Sequence, residues 1–140
     1  MRRAGGKLTE ECGVKRKQVT AAIIRQNGKI LITQRAAEDK LSLKWEFPGG
    51  KIEPGETPER CLIREIREEL CLEVLVGEHC MTSIFAYESG EIELMAYYAS
   101  VAGGDLQLCV HADARWVFPE ELKKYDFAPA DLPIVAAISR

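Results

Sequence analysis

The chain has 140 residues, 46% of them apolar and 29% charged, with a formal net charge of −3. That length carries one hydrophobic core rather than two ordinary domains, and the composition is that of a globular protein. No apolar run approaches the ~20 residues of a bilayer span, and the basic residues near Met1 are not followed by the apolar stretch of a secretory signal, so a cytoplasmic location without a membrane partner is expected.

The charge is unevenly spread. Residues 1–17 carry six Lys or Arg against Glu10 and Glu11, which leaves the rest of the chain strongly acidic. Without interleaved aromatics or a binding motif, this segment reads as a flexible basic leader, and nucleic acid is not an expected partner. The folded domain is expected over 18–140. Cys12, Cys61, Cys71, Cys80 and Cys109 form no Cys-x-x-Cys pair, which offers neither a zinc pattern nor a disulfide framework. They read as small buried hydrophobes.

In chain order, Gln18–Arg25 is β-rich, Gln26-Asn27-Gly28 supplies a turn, and Lys29–Gln34 follows as a second strand, the pattern of a hairpin. Trp45–Gly50 is a short extended piece that runs into glycines, and Lys51–Glu56 is a loop. Thr57 is a helix N-cap, Pro58 suits the first turn and Glu59 the positive end of the dipole. That helix is expected to end near Cys71. Leu72–Val76, Met81–Tyr87, Glu91–Val101 and Arg115–Phe118 read as strands, with turns at Ser89-Gly90 and Gly103-Gly104-Asp105. Pro119–Lys124 opens like a helix, and Leu132–Ile138 reads as a second short one. Strands interleaved with helices predict a single-domain α/β sandwich around a mixed β-sheet.

The helix after Thr57 concentrates the chemistry. Leu62, Ile66 and Leu70, with Ile63 beside them, form one apolar stripe. With Leu62 at zero on the helical wheel, Glu68, Glu65 and Glu69 fall near ~240°, ~300° and ~340°, bordering that stripe. Arg60, Arg64 and Arg67 fall on the far side. Carboxylates at i, i+3 and i+4 repel one another, and a hard divalent cation bound through oxygen would reverse that repulsion. A solvated charged face is the simpler alternative. The flanking sequence favours the cation: Gly49-Gly50 permits close backbone approach, Arg35, Lys44 and Lys51 can supply charge for phosphate, and Glu56 adds a carboxylate at the helix start.

The segment from Gly50 through Glu56, Arg64-Glu65-Ile66, Glu68-Glu69 and Cys71-Leu72 resembles the Nudix box. Every defined position matches except Cys71, where the family has glycine. Trp45-Glu46-Phe47-Pro48-Gly49 extends the resemblance to the MutT-like branch. The resemblance implies a Nudix-type α/β/α sandwich and hydrolysis of a nucleoside diphosphate linked to another group. In MutT-like members a nucleoside triphosphate and water give the monophosphate and pyrophosphate. It implies Mg2+ as cofactor, with Mn2+ as a substitute, held by Glu65, Glu68, Glu69 and the Gly49 carbonyl, with Glu56 as a supporting ligand or a salt-bridge partner within the loop–helix unit. It further implies Glu65 as general base, with Arg64 and Glu68 in the catalytic set and Arg64 orienting a box carboxylate. Arg35, Lys51, Phe47 and Asp131 are the candidate contacts to a small-molecule nucleotide. Some relatives place another acidic residue shortly before the strand of Trp116; Val110 stands there, with His111 and Asp113 nearby.

Phe127-Ala-Pro-Ala-Asp131-Leu-Pro-Ile-Val135 resembles the segment that reads the nucleobase in MutT-like enzymes. Members that cleanse 8-oxoguanine nucleotides often carry asparagine at the place of Asp131, whereas Ala-Pro-Ala-Asp occurs in CTP pyrophosphohydrolases. An ionised aspartate only accepts hydrogen bonds, which suits the exocyclic amine of cytosine. A (d)CTP-type substrate is therefore expected, with 8-oxo-dGTP hydrolysis as the alternative and Asp131 as a helix cap as the simplest reading. A non-catalytic nucleotide- or DNA-binding module, and an enzyme for another diphosphate, are the remaining alternatives.

Overall fold

The computed structural model describes residues 16–139; most of the expected leader lies outside them. Among the described residues six strands form one mixed sheet: β1 (Arg16–Gln26), β2 (Lys29–Gln34), β3 (Trp45–Glu46), β4 (Leu72–Tyr87), β5 (Gly90–Gly104) and β6 (Asp113–Val117). Two α-helices, α1 (Pro58–Leu70) and α2 (Leu132–Ile138), pack against it, with 3-10 turns at Pro119–Lys124 and Pro129–Asp131. β1 begins at Arg16, so Arg16 and Lys17 stand opposite Glu91 and Ile92 within the sheet.

Alternation along β1 explains the layers. Ala21 and Ile23 face a core completed by Ile32, Phe47, Phe127 and Ile134, on the side of α2. Ala22 and Ile24 face the opposite core, completed by Leu62, Ile66 and Leu70 of α1. Successive side chains of a strand point to opposite faces, so one apolar run serves both layers.

β1 and β2 form the expected hairpin, with Asn27 and Gly28 both at positive φ, as a two-residue turn of the primed type requires. They pair only at Arg25–Ile30 and Gln26–Lys29. Beyond the turn they splay, and residues 45–52 fill the gap. Thr33 and Gln34 of β2 pair with Glu46 and Trp45. On the other side Ala22 N donates to Pro48 O, Thr20 N to Gly50 O and Ile52 N to Gln18 O. The glycine loop is thus laid between two strands.

Several boundaries differ from those expected. Leu72–Val76 and Met81–Tyr87 belong to one strand, β4, because the stretch between them stays against β5 through register shifts around His79. Bulges absorb the extra residues without breaking the ladder. β5 runs past the expected turn, and Gly103 and Gly104 still face Glu73 and Leu72. The segment opening at Pro119 is a 3-10 turn.

Candidate active site

α1 is built as its sequence dictates. The Thr57 hydroxyl accepts from Arg60 N at 3.1 Å, Pro58 occupies the first turn, and Leu62, Ile66 and Leu70 are fully buried. Cys61 is buried as well, which widens the buried arc on the side of Glu65 and Glu69. At the far end Cys71 takes the left-handed conformation, with φ 59° and its N–H donating to Arg67 O. Glycine reaches that conformation without a steric penalty; the cysteine adopts it with one.

Gly49 and Gly50 are needed for room. A Cβ on Gly49 would sit 2.1 Å from the Thr20 carbonyl oxygen, and one on Gly50 would sit 2.3 Å from the carboxyl carbon of Glu65. The carbonyls of Pro48 and Gly50 point at β1. Alternation along an extended segment turns the Gly49 carbonyl between them the other way.

Arg64 organises the carboxylates. Although its Cα lies on the far side of the wheel, its guanidinium folds back across the helix. Nη2 bonds Glu56 Oε1 at 3.0 Å, while Nε bonds the other Glu56 oxygen. Nη1 reaches Glu65 at 3.0 Å and Glu68 at 3.4 Å. The guanidinium, with help from the Glu53 backbone N–H, holds the Glu56 carboxyl down to about 2. Glu69 is shifted the opposite way. Burial pushes its pKa up, and its hydrogen bond to Glu65 and the charges of Glu65, Glu46 and Glu68 push further.

A cleft of about 240 Å³ joins this acidic end to an aromatic one. Gly49, Gly50 and Glu69 line one end, and Phe47, Tyr87, Ala128 and Asp131 line the other, with Arg35, Glu46 and His111 also on its wall. Phe47 stacks on Phe127, ring centroids 5.2 Å apart. The Phe127–Asp131 segment is tied to β3 by Ala128 N donating to Trp45 O. It is tied to β4 by Ala130 N donating to the Tyr87 hydroxyl at 3.2 Å.

Asp131 precedes α2, yet its side chain makes no capping bond. It is 5% exposed, and Oδ2 accepts the Phe47 N–H at 3.0 Å. The simplest reading, a helix cap, is therefore set aside. Burial pushes its pKa up to about 8 despite the Phe47 hydrogen bond. The shift runs toward the neutral acid, against the ionised Asp131 near pH 7 on which the cytosine reading drew.

Of the other candidate residues, Arg35 lines the cleft and bonds Glu46 at 2.9 Å. Lys51 is exposed and absent from the cleft wall, because the segment joining residue 50 to 52 follows β1 and directs this side chain outward. Lys44 is engaged with Asp126 at 2.9 Å. Glu65 lies under Gly50, and Glu68 is largely exposed. Of the described cysteines only Cys61 is buried, Cys109 being exposed, so burial as small hydrophobes holds for one of them. Glu46, Tyr87 and His111 join the cleft wall only through long-range packing, which local residue spacing does not reveal.

Among the described residues no three His, Cys, Asp or Glu side chains converge as a complete metal cage. Magnesium, where it binds through carboxylates, keeps several waters and shares its shell with substrate phosphate. The donor set fits such an ion: oxygen donors alone, burial and then carboxylate repulsion that together raise Glu69, and a glycine whose missing Cβ makes room for Glu65.

Comparison with known proteins agrees with this geometry. A model of the NUDIX domain matches residues 14–138. The CTP pyrophosphohydrolase of Escherichia coli K12 is 42% identical over 120 residues, covering 86% of this chain and 89% of that protein. The 8-oxo-dGTP diphosphatase of the same organism is 33% identical, covering 91% and 99%. The solution structure of the E. coli ORF135 protein superposes with a TM-score of 0.79 at 41% identity, covering 90% of each chain. A MutT protein structure from Methanosarcina mazei Go1, at 21% identity and a TM-score of 0.81, shares the fold over 91% of this chain and 95% of its own. With the box carboxylates on α1, the glycine loop against β1 and these relatives, the chain belongs to the Nudix hydrolase family.

Proposed function

We propose that this chain is a magnesium-dependent nucleoside triphosphate pyrophosphohydrolase that converts (d)NTP and water to (d)NMP and pyrophosphate, with CTP, dCTP or a 5-substituted form preferred. The observation that carries this reading is one cleft with the box carboxylate Glu69 and the glycine loop at one end and buried Asp131 at the other. The similarity to a protein named CTP pyrophosphohydrolase supports the choice of base.

In this reading Glu56, Glu65, Glu68, Glu69 and the Gly49 carbonyl hold Mg2+, and Mn2+ can replace it. When bound, the ion supplies charge across the phosphate oxygens and acidifies a bound water. Glu65 takes the proton from the attacking water. Arg64 keeps Glu56 and Glu65 in place through the bonds described above, and Arg35 faces the phosphate chain from the cleft wall. Phe47 lends a flat apolar surface to the base, and Asp131 reads its edge. No covalent nucleophile is needed.

A second reading, 8-oxo-dGTP hydrolysis, is favoured by one specific observation. With its pKa raised to about 8, Asp131 offers an O–H donor at neutral pH, as the asparagine amide of the oxidised-nucleotide enzymes offers an N–H. Relatives named 8-oxo-dGTP diphosphatase agree with it. One assay decides between them: CTP, dCTP, 5-methyl-dCTP, UTP and 8-oxo-dGTP are each supplied with Mg2+, and monophosphate, pyrophosphate and orthophosphate are quantified. A cytosine nucleotide as best substrate with pyrophosphate as product is the expected result. 8-oxo-dGTP as the best substrate would establish the second reading, and orthophosphate as the main product would overturn both.

A further inference from the structure

His111 sits where the acidic end of the cleft meets the base end. Its side chain is 5% exposed, and Nε2 lies 3.4 Å from Glu46 Oε2 and 3.9 Å from Glu69 Oε1. The loop carrying it is fastened at both ends. Gln107 N donates to Leu70 O and Cys109 N to Glu69 O, which are carbonyls at the open end of α1; Ala112 N donates to Gln34 O at the end of β2. Glu46 is held on its other side by Arg35. Nδ1 is buried with no hydrogen-bond partner among the described residues. A buried polar atom left unpaired keeps its desolvation cost without return, and such costs persist where a function fixes the group.

We propose that His111 is a positioning residue that holds Glu69 and Glu46 in fixed relation, so that the cation-binding carboxylate and the wall of the base pocket move as one unit. This rests on the reading of Glu69 as a metal ligand. The geometry gives the reason. Glu69 is a long side chain among like charges, and its hydrogen bond to Glu65 ties it only to another carboxylate. The Nε2 edge of His111, within 4 Å of both Glu69 and Glu46, can supply a donor from a third element of the fold. Partners of this kind orient metal-binding groups, and losing them typically weakens metal affinity by about 10–100-fold.

The test is Mn2+ binding by full-length protein, with free Mn2+ followed by electron paramagnetic resonance, alongside melts of the same proteins in a chelator. Glu69→Gln should weaken binding, and His111→Phe, which keeps a ring without a donor, should weaken it about tenfold. His111→Gln, which returns an N–H near the Nε2 position, should restore most of it. Mn2+ affinity unchanged in His111→Phe, or unrescued by His111→Gln while both variants melt as the parent does, would overturn the inference and leave Glu69 as a ligand. Affinity unchanged in Glu69→Gln would remove that reading and the inference with it. Wild-type protein provides a second measurement, because the chain has two histidines. Mg2+ should shift the ring nitrogen resonances of His111 and spare His79, which bonds Thr82 at 2.8 Å. Silence at His111 on saturation with Mg2+ would likewise overturn it.

Discussion

Oδ2 of Asp131 accepts the backbone N–H of Phe47 at 3.0 Å across 84 positions of sequence. One oxygen is thereby committed to the protein, and the other is left to face the cleft. Because Phe47 is two residues from Gly49, this bond also ties the base end of the cleft to the glycine loop. Burial raises the acid to about 8, so the free oxygen changes from donor to acceptor within an accessible pH range.

Base selection should therefore depend on pH. Between pH 6.5 and 9 the ratio of kcat/KM for CTP over UTP should rise, because the ionised form accepts from the cytosine amine and opposes the uracil carbonyl. Asp131→Asn should flatten that profile, since an amide neither ionises nor loses its donor. Asp131→Ala should lower efficiency with the preferred base while sparing Mn2+ binding. An equally steep ratio in Asp131→Asn would remove Asp131 from base selection.

The same residue and Glu69 shape stability in the metal-free protein. Both have folded pKa values above their unfolded ones. Their stabilising contribution is complete below pH ~4, the unfolded range, and is lost as pH rises through the folded values. Urea melts in a chelator should show wild type losing stability from pH 5 to pH 8, with Asp131→Asn and Glu69→Gln each losing less. At pH 8 Glu69→Gln should be more stable than wild type by about 1–3 kcal/mol, the scale of an uncompensated buried group. Its turnover, like that of Glu68→Gln, should fall sharply, and EDTA should abolish wild-type activity.

Gly49 and Gly50 should fail differently when given a methyl group. The Gly50 methyl meets the end of a flexible side chain, Glu65, whereas the Gly49 methyl meets the Thr20 backbone. Gly50→Ala should keep the melting temperature within a few degrees and lose activity by about a hundredfold, the cost of a ~1 Å misplacement. Gly49→Ala should lower the melting temperature itself. Thermal melts and kcat/KM on both variants separate the two effects.

Cys71 offers a gain. It carries φ 59° at the C-terminus of α1, a conformation that costs a residue bearing a Cβ roughly 1–2 kcal/mol. Cys71→Gly should stabilise the protein by about 1 kcal/mol, less the added entropy of the unfolded chain. Activity should be unchanged, because no proposed ligand is touched. A lower melting temperature would show that the Cys71 side-chain contacts outweigh the backbone strain.

Local signals were legible where neighbours in sequence are neighbours in space. Thr57 and Pro58 set the start of α1, its four-residue apolar period set the buried face, and Asn27-Gly28 set the hairpin turn, each through backbone geometry spanning a few residues. The box spacing likewise placed Glu65, Glu68 and Glu69 on one sector of one helix. Tertiary structure decided what that sector faces. It joined two expected strands into β4, since pairing with β5 outweighs the polar break at Gly77–Cys80. It turned Lys51 outward and drew Lys44 to Asp126. It brought His111 and Glu46 together across 65 positions and buried Asp131 against Phe47. Those outcomes depend on which segment fills the gap between β1 and β2, and desolvation there shifts the acids; neither the packing nor the dielectric can be read from residue order, because both arise only once distant segments share a core.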